Sequence, residues 1–108
     1  MRYLVHIESI DSGENMPPRQ VAAMLEDIVI PTIKVLVEWE KMGKAKGGIL
    51  SGRRGAAFVI DAVSNEELSD LLRGLPVWGF SEVEITPLDS AEHRIQAESQ
   101  TAQMLKTM

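Results

Sequence analysis

The chain has 108 residues, 44% of them hydrophobic and 25% charged, with 11 Lys and Arg against 16 Asp and Glu, which is the composition of one ordinary globular domain. A formal net charge of −5 repels phosphate and so argues against a nucleic-acid or anionic-membrane partner. The absence of cysteine excludes disulfides, thiolate catalysis and cysteine-ligated zinc. The longest apolar tract, Ile28 to Val37, contains Thr32 and Lys34 and is far short of the roughly 20 residues of a membrane span. The opening MRYLVHIESI lacks a continuous apolar stretch of secretory length, so the expected location is cytoplasmic.

Residues 2 to 10 place Tyr3, Val5 and Ile7 on one side and Leu4, His6, Glu8 and Ile10 on the other, the period of a strand with unlike faces. A polar loop, Asp11 to Asn15, precedes Pro17 and Pro18, which suit a helix start because their missing N–H groups would be unpaired there. Val21, Leu25, Ile28, Thr32, Leu36 and Trp39 then recur at spacings of three and four, predicting one long helix with a kink at Pro31. Val29, Ile33, Val35 and Val37 make a second apolar side, which a partner subunit would cover.

Ile49 and Leu50 predict a short second strand, SGRRG at 51 to 55 a turn, and Ala56 to Val63 a third strand buried on both faces. Ser64 with Glu67 three residues on forms a capping box, followed by Leu68, Leu71, Leu72 and Leu75 on one helical face, with Gly74 and Pro76 as the stop. Glu82 to Thr86 alternate as a fourth strand that Pro87 ends. From Asp89 to Met108 the chain is polar, with Ala91, Ile95, Ala102 and Leu105 spaced as a narrow helical stripe and Asp89 or Ser90 as its cap. The order is β-α-β-β-α-β with a C-terminal helix, an α+β ferredoxin-like plan with two helices on one face of a four-stranded antiparallel sheet. It divides the chain into a domain at 1–88 and a helical tail at 89–108.

The stretch SNEELSDLLRGLPVWGFSEVEITPL, residues 64 to 88, with the FVIDAVS run before it, resembles muconolactone isomerases, which follow their third strand with a similar helix, an LP turn carrying aromatics and a further strand. The resemblance implies a dimeric α/β barrel, in which two ferredoxin-like sheets face each other, and higher homo-oligomers built from such dimers. Where that family has a Trp- and Arg-rich second strand followed by a His-Tyr or Arg-Tyr turn, this chain has KAKGGILSGRRG, and Arg53 is the residue that matches the turn.

If Tyr3, Val5 and Ile7 pack on the helices, His6 and Glu8 share the uncovered face, with Glu82, Glu84 and Thr86 of the fourth strand beside them. A His, the side chain that ordinarily titrates nearest neutrality, next to carboxylates is suitable equipment for moving a proton between carbons of a lactone or enol. His6 and Glu8 are therefore the candidate catalytic pair. Arg53 and Arg54 are candidate anchors for a substrate carboxylate, Glu84 a further candidate substrate-binding residue, and Trp78 and Phe80 candidate walls around an apolar ligand. Two His without paired spacing and no Cys speak against a metal, and no cofactor motif is present. The expected function is cofactor-free isomerisation of a small carboxylated lactone by a homo-oligomer. A non-catalytic binding or structural protein of the same fold, and a cofactor-independent monooxygenase, are the alternatives.

Overall fold

The computed structural model describes residues 1–10 and 15–108; the polar loop expected at Asp11 to Asn15 lies, apart from Asn15, outside the described residues. Strand β1 (Arg2–Ser9) leads to α1 (Pro18–Met24), a π-helical turn at Leu25–Val29 and α2 (Ile30–Lys41), followed by β2 (Ala45–Ile49) and β3 (Gly55–Asp61). Helix α3 (Asn65–Arg73), a 3₁₀ turn at Trp78–Phe80, β4 (Ser81–Leu88) and α4 (Ala91–Lys106) complete the chain. The strands form one sheet in the order β2-β3-β1-β4, antiparallel throughout. This is the expected α+β ferredoxin-like arrangement.

The alternation in β1 sets the layering. Tyr3, Val5 and Ile7 are buried against the helices, together with Ala56, Phe58 and Ile60 of β3 and Leu68, Leu72 and Leu75 from the α3 region. Trp39 of α2 meets Phe58 edge-on, with ring centroids 6.1 Å apart, a favoured aromatic geometry. Tyr3 spends its hydroxyl on Asn65 Oδ1 at 2.6 Å, so a buried polar tip is satisfied where α3 begins. The other face of β3, with Ala57 and Val59, is only half-buried, so β3 alternates and is not enclosed on both sides as its composition predicts.

Helices α1 and α2 run as one rod whose stripe of Val21, Leu25, Ile28, Thr32, Leu36 and Trp39 faces the sheet, half-buried or buried. Pro31 shapes it. In a regular α-helix the Pro31 ring would meet the carbonyl of Asp27, and the turn just before it widens into the π form, in which the Ile30 N–H reaches back to the Leu25 carbonyl. The expected disturbance at Pro31 is thus a π turn.

At the start of α3 half of the capping box is made: the Glu67 N–H donates to Ser64 Oγ at 3.1 Å. The Glu67 carboxylate reaches past Ser64 to the Val63 N–H and to Lys44 Nζ, at 3.2 and 3.0 Å. The Lys44 hydrogen bond, with Val63 second, holds the Glu67 carboxyl below the usual glutamate range. Strand β4 does not stop at Pro87 but pairs with β1 as far as Leu88 opposite Arg2. A sheet edge tolerates proline, because its missing N–H can be the one that faces outward. No helix among the described residues is long and apolar enough to cross a membrane.

Candidate functional site

Because Tyr3, Val5 and Ile7 are committed to the helices, His6 and Glu8 project from the uncovered face of the sheet, two residues apart on one strand. His6 Nε2 stands 3.9 Å from Glu8 Oε1, and each side chain is 34% exposed. The register sets Glu84 opposite His6 and Glu82 opposite Glu8 on one side, with Ala57 and Gly55 opposite them on the other. A Cβ at Gly55 would run into the Ile7 carbonyl and crowd the Leu50 side chain and Glu8 Cα. Glycine there lets β3 approach the end of β1.

The turn between β2 and β3 brings the arginines to this point. It is closed by the Leu50 N–H donating to the Gly55 carbonyl at 2.9 Å, and Gly52 takes a positive φ of 76°, a conformation glycine adopts without strain. The Ser9 N–H donates to the Arg54 carbonyl at 2.8 Å, fastening the turn to β1. Arg53 Nη2 lies 2.5 Å from Glu8 Oε1. That oxygen is shielded from solvent and accepts no hydrogen bond of ordinary geometry from a described residue. Its compensation is the charge of Arg53.

On the helix side of the same sheet end lies a cavity of about 230 Å³. Met16, Met24, Ile28, Ile33, Leu36 and Phe80 form much of its apolar wall, Ser9, Thr32 and Ser81 supply hydroxyls, and the exposed Arg53 and Arg54 stand at its mouth. An open groove lined by Glu8, Ile10, Leu25 and Gly52 shares Ser9, Arg53 and Arg54 with that cavity. Besides Ile7 and Ile49, the sheet residues beneath the rod here are Ser9, Gly55, Ala56 and Ser81, too small to fill the space that Phe58 and Ile60 fill further along.

The structure therefore brings Arg53, Arg54, Glu8 and Phe80 to one end of the sheet, with His6 next to Glu8 on the opposite face from the cavity. Glu84 is exposed across from His6, and Trp78 packs half-buried against the hydrophobic core rather than lining the cavity. Sequence reasoning missed the cavity and with it Met16, Met24 and Thr32. The signal available was the run of small residues at the facing strand ends. Among the described residues no group of three or more His, Asp or Glu is placed to hold a metal ion.

No family model matches the chain, and no curated protein matches it. Solved structures do. A structure of muconolactone isomerase superposes with a TM-score of 0.66 at 18% identity, covering 83% of this chain and 90% of that one. A 5-chloro-2-hydroxyhydroquinone dehydrochlorinase from Burkholderia phenoliruptrix, in complex with 2,5-dihydroxybenzoquinone, superposes with a TM-score of 0.53 at 13% identity, covering 86% of this chain and 98% of that one. Both matches span nearly the full length of the other protein. The chain has the muconolactone isomerase-like fold.

Proposed function

We propose that the protein binds a small ring carrying a carboxylate, a lactone or a similar compound, and moves a proton on it without a cofactor. The observation that carries this reading is the pair of arginines at the mouth of an apolar cavity, one of which, Arg53, also holds Glu8 in the adjoining groove. A ring of one cycle suits about 230 Å³, at the small end for ligand sites, and the arginine forks suit a carboxylate. Glu8 lines the adjoining groove rather than the cavity, so it acts as acid/base on a ring that reaches past Arg53 into that groove, and His6 beside it exchanges its proton with solvent. Phe80 closes the apolar wall. Glu84 stands across from His6 as a second carboxylate, and Trp78 supports the turn that carries Phe80.

Two solved structures of this fold, a muconolactone isomerase and a dehydrochlorinase holding a dihydroxybenzoquinone, belong to proteins that handle small oxygenated rings, which supports the substrate class. The sheet faces of two copies packed together, as in a dimeric α/β barrel, would enclose His6 and Glu84, and the reading includes such a homodimer working in the cytoplasm. A non-catalytic binder is the second reading, favoured by one observation: His6 lies across the sheet from the cavity.

Muconolactone and related carboxylated lactones, incubated with the protein in deuterated water, separate the two readings. Catalysis incorporates deuterium and isomerises the ring, with Glu8→Gln slowing it by about two to four powers of ten, the usual range for a general acid/base group, and His6→Ala slowing it as well. Binding of a lactone without any exchange would establish the second reading instead.

A further inference from the structure

Among the described residues helix α4 finds no seat on its own chain. It buries none of its side chains, Ile95 and Leu105 are 66% and 61% exposed, and the molecule measures 67 × 29 × 23 Å, its long axis drawn out by a helix of about 24 Å. Ala91, Ile95, Glu98, Ala102 and Leu105 follow one another at spacings of four, three, four and three, the seam that lets one helix pack along another. A shallow groove lined by Ala91, Arg94, Ile95, Glu98, Ser99 and Ala102 runs along it.

We propose that α4 pairs antiparallel with α4 of a second copy of this chain. Charge selects both the occupant and the direction. A parallel, in-register pair would set Glu98 against Glu98 of the second copy inside the seam, like charges at close range. An antiparallel pair that sets Ile95 against Leu105 places Glu98 against Ala102, and two-fold symmetry repeats each contact. The same alignment draws Glu92, beside the seam at one end of the helix, toward Lys106 at the other end of its partner, twice per pair. Glu98 meets its neighbour already compensated, since Arg94 Nε on its own helix lies 3.0 Å from Glu98 Oε1. Two helices of this length bury less than a free-standing dimer needs. The pairing therefore reinforces other contacts between copies through local concentration. It is independent of the ligand proposed above.

The native chain has no cysteine, so single cysteines report the geometry in the full-length protein. With a short bismaleimide at tens of micromolar protein, Ser99→Cys, at the centre of the antiparallel pair, forms covalent dimers, whereas Ala91→Cys, at its ends, does not. Adding Glu92→Lys to Ser99→Cys loses most of that crosslink, and adding Lys106→Glu to both restores it. Equal crosslinking at 91 and 99, no crosslinking at 99, or no recovery in the double reversal would each overturn the proposal.

Discussion

Thr32 and Val77 lie 45 residues apart in the chain and are joined at the cavity wall: the Val77 N–H donates to Thr32 Oγ1 at 3.2 Å. The same hydroxyl donates to the Ile28 carbonyl at 2.8 Å, so a buried polar group on α2 is satisfied twice. Through it the turn that carries Phe80 is tied to the rod that roofs the cavity.

Thr32→Val keeps the shape and removes the acceptor, leaving the Val77 N–H without its partner. The expected cost is about 1–3 kcal/mol, the penalty for stranding a buried donor, while Thr32→Ser recovers most of it. Urea denaturation of the three proteins measures this, and equal midpoints for Thr32→Val and the native chain would show that the bond contributes nothing.

Gly55→Ala places a methyl group against the Ile7 carbonyl. Backbone on both strands must shift to admit it, at about 1–3 kcal/mol by analogy with overpacked cores. Thermal melting checks this. An unchanged melting temperature would mean that β1 and β3 are free to separate at this end.

The lowered Glu67 carboxyl, caused first by the Lys44 hydrogen bond, makes a pH-dependent contribution to stability. A group whose folded value lies below its unfolded one stabilises the fold fully above the unfolded value and ceases to do so as pH falls through the folded one. Glu67→Gln keeps an acceptor for the Val63 N–H and loses the charge. The native protein should therefore lose more stability than Glu67→Gln on acidification from neutrality to below the usual glutamate range. Parallel melting-temperature profiles for the two would contradict the assignment.

Much of the fold is legible in short patterns. The Tyr3, Val5, Ile7 alternation, the spacing from Val21 to Trp39 and the Ser64 cap each depend on local patterns along the chain, and each forms, the cap as half of the expected box and the helix with a π turn before Pro31. Features that depend on position in the sheet are not legible in the same way. Pro87 reads as a strand end and is accommodated because β4 is an edge; Ala56 to Val63 reads as doubly buried, yet no second layer among the described residues covers its outer face. For the site, the strand period puts His6 beside Glu8, but which arginine reaches Glu8 is decided by the folded turn. The cavity is the least legible feature, since it is made by what Ser9, Gly55, Ala56 and Ser81 lack.

The methyl signals of Met16 and Met24, which line the cavity, and of Met108, which is exposed at the far end of the chain, report directly on whether a carboxylated ring enters. Titration of the methyl-labelled protein with muconolactone should shift Met16 and Met24 and leave Met108 in place. The methyl ester on the native protein, or the free acid on the Arg53→Gln/Arg54→Gln variant, should bind at least tenfold more weakly, one charge-assisted pair being worth about 1.5–3 kcal/mol. Acid and ester binding equally well, or every carboxylated lactone leaving Met16 and Met24 unshifted, would contradict the account of an anion-anchored ring in this cavity.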